Sequence, residues 1–213
     1  MKKIGMLLGL SAALLLFAGC ETTNSKIAAI ESYLGTPSSI KLNRPVYFVV
    51  QDQRPQEERQ QDPHGAWIYT VDGDNPNQAA LSVGNDFCRI TKVKGITDQA
   101  LHGLPSDSIP TDAIVIRVNL ISWYGRLLRP MLTDKIIDII TPNTPIGGEG
   151  HCKFSSILEY DGKTIDLGVS EGSVDLSVSR KATIDKEGNQ ISGVVSDEAM
   201  AQFFKAFENQ FPK

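Results

Sequence analysis

The chain has 213 residues, of which 41% are hydrophobic and 22% are charged, a composition that is typical of globular proteins and excludes a disordered one. Its formal net charge of -4 gives no electrostatic reason to bind nucleic acid or anionic lipid head groups, so we expect no nucleic-acid partner. The length suits one domain with a real core.

The first 20 residues have the pattern of a secretory signal peptide. A basic start at Lys2 and Lys3 is followed by an apolar run over residues 4–16, and small residues precede Cys20. The Ala-Gly-Cys ending resembles the lipobox of bacterial lipoproteins, so we expect residues 1–19 to be removed and Cys20 to become a lipidated N-terminus. Two alternatives stay open: a retained transmembrane helix, although a span needs about 20 apolar residues, and an ordinary signal peptide with a cysteine here by chance.

The residue after Cys20 is Glu21. In enteric-type lipoproteins an aspartate at this position favours retention in the inner membrane, so the resemblance implies transfer to the outer membrane, with the domain in the periplasm. Acyl chains such as palmitate would anchor the protein, because each buried CH2 contributes about 0.8 kcal/mol and two chains suffice. We expect residues 20–43 to be a lipidated polar tether with one short helical turn near Ile27–Ile30, and residues 44–213 to be a single α/β periplasmic domain.

The first half of this domain contains two predicted strands. Val46–Val50 is β-branched and aromatic and is apolar on both faces, which predicts a central strand. The polar stretch Gln51–Gly65 predicts an exposed loop, and Trp67–Val71 predicts a second strand that ends in turn residues. The segment Asn77–Val93 is ambiguous, since its alanines favour a helix whereas Gly84 and the residues after it suggest a strand.

The second half begins with the clearest strand, Ala113–Leu120. In Gly125–Ile140 the apolar residues follow helical spacing, which predicts a helix on the sheet. Lys153–Tyr160 and Thr164–Ser170 are predicted strands, and the Asp-Gly pair at 161–162 predicts a hairpin turn between them.

The chain is predicted to end in an extended piece at Leu176–Thr183 and a helix that begins at the N-cap candidate Ser196. The stripe of this helix that is predicted to be buried consists of Met200, Phe203, Phe204 and Phe207. The fold class that follows is α+β, with a mixed, mainly antiparallel sheet and helices packed on it, including a C-terminal helix.

A lipobox, a first strand that ends in Val-Val-Gln-Asp-Gln-Arg-Pro at Val49–Pro55, a strand at Ala113–Leu120, a hairpin with Asp-Gly-Lys at 161–163 and a closing helix follow one another in the chain. This order resembles that of YajG-type bacterial outer-membrane lipoproteins and of the wider group of transport-auxiliary lipoproteins. The resemblance implies an outer-membrane location and an α/β domain with a mixed sheet, and it implies no particular chemistry.

Two cysteines remain besides Cys20, namely Cys88 and Cys152. The compartment beyond the inner membrane is oxidising, so we expect a disulfide between them. Two buried free thiols are the alternative.

Few residues suggest chemistry. Asp52 and Arg54 could hold a ligand, but a salt bridge that orders a loop at a strand end is the simpler interpretation. Glu149 and His151 could act as acid and base, although a glycine-rich loop explains them as well. The histidines and cysteines lack the spacing of metal ligands, and no phosphate-binding loop is present. We therefore expect no metal, no cofactor and no enzymatic activity.

Lipid anchoring without a catalytic constellation predicts a non-catalytic envelope lipoprotein whose domain binds an unidentified protein, as an accessory subunit of an envelope or transport assembly. One alternative is a lipid- or small-molecule-binding module with an apolar groove near residues 125–140, and another is a hydrolase with a dispersed active site. The apolar helix predicted at 125–140 is either part of the core or a partner or membrane surface. The residues of that surface would be Leu128, Leu132, Ile136 and Ile139.

Overall fold

The computed structural model describes residues 25–59, 67–70, 75–128, 146–178 and 188–211. They form an α+β fold in which helices pack on a mixed sheet, as predicted. The helices are α1 (25–35), α2 (Gln56–Arg59), α3 (Pro76–Val93) and α4 (Asn189–Glu208). The strands are β1 (Val46–Asp52), β2 (Trp67–Thr70), β3 (Ala100–Gly103), β4 (Ile114–Leu128), β5 (Ile146–Tyr160) and β6 (Lys163–Val178).

The strands pair in the order β3-β1-β4-β5-β6, and β2 pairs with the second half of β4. β1 is parallel to both β3 and β4, whereas the pairs β2–β4, β4–β5 and β5–β6 are antiparallel. The first five residues of β1 are buried, which confirms the central strand that the two-faced apolar pattern of Val46–Val50 predicts.

The β5–β6 hairpin turns at the predicted Asp-Gly pair. Asp161 has a φ of 50° and Gly162 a φ of 73°, so both residues are left-handed, and Tyr160 pairs with Lys163 across the turn. Two successive left-handed residues are what a two-residue hairpin loop requires, and an Asp-Gly pair adopts them at low cost.

The helices α3 and α4 pack on one face of the sheet around a cluster of phenylalanines. The ring of Phe87 in α3 lies 4.9 Å from those of Phe48 in β1 and Phe203 in α4. Phe154 in β5 and Phe204 in α4 complete the cluster at 5.4 and 6.3 Å from Phe87. Such aromatic pairs contribute about 0.5–1.5 kcal/mol each beyond the area they bury.

Residues of alternate parity on β4, β5 and β6 form the opposite side, which we call the open face. On it, Arg117 of β4 pairs with Glu159 of β5 at 2.9 Å, and the side chain of Val169 on β6 is 55% exposed. Polar and charged side chains on one side and buried apolar ones on the other are typical of a sheet with one solvated face.

The helix predicted at Gly125–Ile140 is wrong in its first four residues. Residues 125–128 are the end of β4 and pair with β2 on one side and β5 on the other. The absence of a side chain at Gly125 allows this, since a Cβ there would collide with the backbone oxygen of Gly188 at the start of α4. Leu128 is the last residue of β4. The other members of the predicted surface, Leu132, Ile136 and Ile139, lie outside the described residues.

Residues 25–43, expected to belong to the tether, are instead packed on the domain. α1 is 11 residues long, and its residues Ile30, Tyr33 and Leu34 contact the core. Downstream, the Ser38 N–H donates to the Lys94 carbonyl at 2.7 Å. The spacing of Ile30, Tyr33 and Leu34 places them on one helical face, which is why this segment folds against the domain.

The segment 77–93, for which the sequence allowed either a helix or a strand, belongs to the helix α3. The Asn75 side chain accepts hydrogen bonds from the N–H groups of Asn77 and Gln78, and Pro76 opens the helix, so the N-terminus is capped as in many helices. Gly84 permits close packing, because a Cβ there would touch the His102 ring.

The predicted start of the C-terminal helix is wrong, whereas its buried stripe is confirmed. α4 begins at Asn189, so Ser196 lies within the helix and is 5% exposed. The buried residues of α4 include Met200, Phe203, Phe204 and Phe207. Among the described residues, no helix has the combination of length and apolar composition that crossing a membrane requires.

Candidate functional site

A buried ion pair lies where the edge of β4 changes partner. β1 pairs with β4 as far as Leu120, and β2 begins to pair with it only at Tyr124. The register of β4 with β5 also shifts between Leu120 and Ser122. The main chain at Ser122 and Trp123 therefore lacks a neighbouring strand on this edge, and side chains take the place of that strand.

Arg54 and Asp52 form one half of this substitute edge. Arg54 Nε and Nη2 donate to the two carboxylate oxygens of Asp52 at 3.0 and 2.9 Å, and both side chains are fully buried. Arg54 Nη1 also donates to the Trp123 carbonyl at 3.4 Å. The predicted strand-end salt bridge is thus present, but it is buried and bidentate, which is the strong geometry for this pair.

Glu58 on α2 forms the other half. Its Oε1 accepts from the Trp123 backbone N–H at 2.6 Å, and its Oε2 accepts from the Ser122 hydroxyl at 2.9 Å. One carboxylate therefore satisfies a backbone donor that would otherwise be unpaired next to the bulge. α2 is held against β4 by this contact.

The hydrogen bonds continue across the open face from β4 to β6. His151 Nδ1 lies 2.9 Å from Ser122 Oγ, and His151 Nε2 lies 2.9 Å from Glu171 Oε1. Lys153 Nζ pairs with the other Glu171 oxygen at 3.0 Å. The hydrogen bonds from His151 and Lys153 hold the pKa of the Glu171 carboxyl below its usual value. We call Glu58, Ser122, His151 and Glu171 the polar relay.

A serine, a histidine and a carboxylate in a row are also the parts of a hydrolytic triad. In this relay the single proton of the Ser122 hydroxyl is donated to Glu58 Oε2, so it is not directed at Nδ1 of His151. The pair of Ser122 and His151 therefore lacks the serine-to-histidine hydrogen bond of a triad.

Two further features oppose a nucleophilic role for Ser122. Only 6% of the residue is exposed, and the adjacent Trp123 N–H, a natural oxyanion donor, is occupied by Glu58. The chain does contain one Gly-x-Ser-x-Gly run at residues 168–172, but it lies within β6 and not at a strand-to-helix turn, and its Ser170 is 3% exposed.

Glu58, Ser122 and Glu171 were not predicted from the sequence. They lie 64 and 49 residues apart along the chain and meet only through strand pairing and the placement of α2. Of the residues that sequence analysis singled out, the structure brings Asp52, Arg54 and His151 to this region. Glu149 pairs instead with Arg126 at 3.3 Å.

The predicted lipidation residue Cys20 lies outside the described residues. Cys88 and Cys152 are both free thiols within the core, in accordance with the alternative to a disulfide. Burial raises the pKa of the Cys88 thiol from 9.0 to about 11 and raises that of Cys152 as well, with the Glu58 carboxylate adding to the second shift. Neither thiol is therefore suited to act as a nucleophile.

Within the described ranges, α1 borders grooves on the α3 and α4 side. One, of about 220 Å³, lies between α1, α3 and α4 beside Glu31, Arg89 and Asp197. Another, of about 300 Å³, lies between α1 and α4 beside Lys26 and Lys205. Across the described ranges no three histidine, cysteine or acidic side chains are arranged to hold a metal ion.

Among known proteins, this chain is similar to solved structures but not to any sequence family or curated protein. No family model and no curated protein matches the sequence. A Xanthomonas campestris protein of the DUF330 family has a TM-score of 0.41 and 8% identity, over 82% of this chain and 91% of that one.

Two other solved structures are similar at a lower level. An uncharacterized protein has a TM-score of 0.32 and 13% identity, over 82% of this chain and 99% of its own. A Helicobacter pylori protein described as a neuraminyllactose-binding hemagglutinin homolog has a TM-score of 0.32 and 10% identity, over 84% and 91%. Because all three TM-scores lie below 0.5, these similarities support no statement about the function of this chain.

Proposed function

We propose that the protein is a non-catalytic lipoprotein of the bacterial outer membrane, and that its domain binds another protein as an accessory subunit of an envelope or transport assembly. The observation that carries this proposal is the position of Cys20, directly after Ala-Gly and behind a basic and apolar leader. Glu21 in place of aspartate supports transfer to the outer membrane, and the resemblance to YajG-type lipoproteins supports a periplasmic domain.

The polar relay supports a structural role for the residues that most resemble a catalytic set. Glu58 satisfies both the Ser122 hydroxyl and the Trp123 N–H, so the relay links α2, β4, β5 and β6 and leaves no prepared nucleophile. A groove at residues 125–140 receives no support from residues 125–128, because they are paired with a strand on each side.

Anchoring is tested by expressing the full chain and a Cys20→Ser variant with an alkyne-modified palmitate. We expect label and membrane attachment only in the chain with Cys20. Unlabelled, soluble protein from the unsubstituted chain would refute the anchoring.

Partner binding is tested by photo-crosslinking in living cells from the large hydrophobic side chains that are most exposed among the described residues. These lie on three different surfaces: Val93 on α3, Leu101 on β3 and Val169 on the open face, which are 50, 47 and 55% exposed. We expect a discrete adduct with an envelope protein from one of these positions, and the same probe in the Cys20→Ser variant should give less of it. Absence of any discrete adduct from all three surfaces would contradict the accessory role.

A hydrolase is the second candidate, and one observation favours it: His151 lies within hydrogen-bond distance of both Ser122 and Glu171. A fluorophosphonate probe labels activated serines, so the purified chain and its Ser122→Ala variant decide between the two functions. We expect no label on either protein. Label on the unsubstituted chain that disappears in Ser122→Ala would establish the hydrolase.

A further inference from the structure

We propose that the groove between α1, α3 and α4 binds a basic side chain, an arginine or a lysine, of a partner protein. The inference rests on the proposed accessory role and adds the place at which the partner binds and the chemistry that is recognised there. We call this site the α1–α3 groove. Its lining includes the apolar side chains of Leu34, Ile90 and Val93 and the carboxylates of Glu31 and Asp197.

The apolar wall of the α1–α3 groove comes from two helices and reaches the protein surface. Leu34 of α1 and Ile90 of α3 are buried, whereas Val93 at the end of α3 is 50% exposed. The volume of about 220 Å³ is smaller than the about 300–1,000 Å³ of pockets for drug-sized ligands. The groove is therefore suited to one side chain of a larger partner.

Two carboxylates that line the groove have no partner among the described residues. Neither Asp197 of α4 nor Glu31 of α1 has a side-chain hydrogen bond or an ion pair there. Asp197 is only partly exposed, and burial raises the pKa of its carboxyl, with the charges of Asp86 and Glu31 adding to the shift. A cation in the groove would offset both the lost hydration and the repulsion between these like charges.

One cation already lines the groove, but it is bound elsewhere. The guanidinium of Arg89 lowers the pKa of Asp197, yet it pairs with Asp86 of the same helix at 3.3 Å. The Arg89 side chain is 59% exposed, and an exposed pair of this kind is weak. Three carboxylates and one guanidinium leave a formal charge of -2 around the groove, so its electrostatics favour a basic occupant.

A basic side chain of a protein matches both properties of the groove. The aliphatic stem of an arginine or a lysine packs on apolar side chains while its charged end stays at a polar site. A planar guanidinium also binds a carboxylate through two N–H groups at once. Ile90 and Val93 would contact the stem, and Asp197 would accept from the charged end.

The test is a nuclear magnetic resonance titration of the full acylated chain, isotope-labelled and held in micelles of a neutral detergent. The probe is the peptide acetyl-Leu-Arg-Leu-amide, and acetyl-Leu-Gln-Leu-amide is its matched uncharged control. We expect the arginine peptide to shift the amide signals of Leu34, Ile90 and Val93. It should bind about tenfold more tightly than the glutamine peptide, because it adds hydrogen bonds between charged groups. No shift of these signals, or equal binding of the two peptides, would overturn the proposal.

Variants of the full chain show which charge is recognised. We expect Asp197→Asn to weaken binding of the arginine peptide about tenfold while the fold is retained. Asp98→Asn, at an exposed position outside the groove, is the matched control and should bind like the unsubstituted chain. Arg89→Gln removes the competing cation and should strengthen binding. Unchanged binding by Asp197→Asn, or weaker binding by Arg89→Gln, would show that the groove does not select a basic side chain.

Crosslinking from the three exposed hydrophobic positions separates failure of this inference from failure of the accessory role. An adduct from Val93 that decreases in the Asp197→Asn background would support both. An adduct from Leu101 or Val169 alone would keep the accessory role and overturn the groove as the place of binding. No adduct from any of the three would contradict the accessory role, whereas the preference of the groove for a basic side chain would still stand if the arginine peptide binds.

Discussion

The ammonium group of Lys94 lies 3.9 Å from the centroid of the Tyr33 ring and 3.2 Å from the Tyr33 carbonyl oxygen. It also pairs with the Glu208 carboxylate at 3.2 Å, and Lys94 is only 2% exposed. A buried ammonium group is tolerated only with such partners. One charge therefore joins α1 to the C-terminal ends of α3 and α4.

Lys94→Met tests this junction. We expect the free energy of unfolding to fall by about 2–3 kcal/mol, because hydrogen bonds to a charged group contribute about 1.5–3 kcal/mol and the carbonyls of Tyr33 and Thr36 lose their donor. Urea denaturation of the folded chain measures the change. The matched control is Lys92→Met, an exposed position two residues away, which we expect to change stability by less than about 0.5 kcal/mol. Equal effects of the two substitutions would contradict a role for the Lys94 charge.

The buried pair of Asp52 and Arg54 predicts a larger effect. Asp52→Asn leaves the Arg54 guanidinium buried without its counter-charge, so we expect a loss of about 3–5 kcal/mol in the free energy of unfolding. Asp161→Asn is the control, because Asp161 pairs with Arg44 in an exposed ion pair that contributes at most about 1 kcal/mol. Chemical denaturation of both variants decides the matter, and an Asp52→Asn variant as stable as Asp161→Asn would show that the buried charge needs no partner.

Local chemistry was enough to predict several elements. The two-faced apolar run of β1 and the Asp-Gly turn of the β5–β6 hairpin depend on residues that are adjacent in the chain. The buried stripe of α4 also follows from local spacing, since Phe203, Phe204 and Phe207 lie on one helical face.

Other features depend on residues that are distant in sequence. Residues 125–128 resemble the start of a helix, and only pairing with β2 and β5 makes them a strand. The sequence of α1 is mostly polar, and its packing depends on contacts with distant residues. Leu34 is buried in the core, and Lys94 donates a hydrogen bond to the carbonyl of Tyr33 in the last turn of α1. The polar relay could not be predicted for the same reason, because it needs the bulge in β4 and the carboxylate of Glu58 together.

We expect the thiols of Cys88 and Cys152 to react slowly with thiol reagents while the chain is folded. The pKa of Cys88 is raised by burial to about 11, so at pH 8 its thiolate fraction is about 100-fold lower than that of a thiol with a pKa of 9.0. Ellman's reagent should therefore react slowly with the native chain and should detect both thiols once the chain is unfolded. A Thr164→Cys variant, exposed beside the hairpin turn, should react at once and serves as the control. No reactive thiol in the unfolded chain isolated from its native compartment would demonstrate a Cys88–Cys152 disulfide.

We expect the substitution Asp197→Asn to increase the stability of the fold. Burial is the main cause that raises the pKa of its carboxyl; Arg89 opposes the shift, and Asp86 and Glu31 add to it. A carboxyl whose pKa is higher in the folded than in the unfolded state binds its proton more tightly when folded, so ionisation destabilises the fold as the pH rises through that range. Asp197→Asn removes this cost, and we expect higher stability than that of the unsubstituted chain at pH 7.

The sign of the pH dependence distinguishes this cause from a general effect of the amide. Below the unfolded-state pKa of about 3.9, the Asp197 carboxyl is protonated in both the folded and the unfolded chain. The stability advantage of Asp197→Asn should therefore disappear at such a pH. Urea midpoints for the two proteins at neutral and acidic pH provide the measurement. Asp98→Asn, at an exposed position, is the matched control for an aspartate-to-asparagine substitution. An advantage of Asp197→Asn that persists at acidic pH would assign the gain to packing, because the desolvated charge is absent under those conditions.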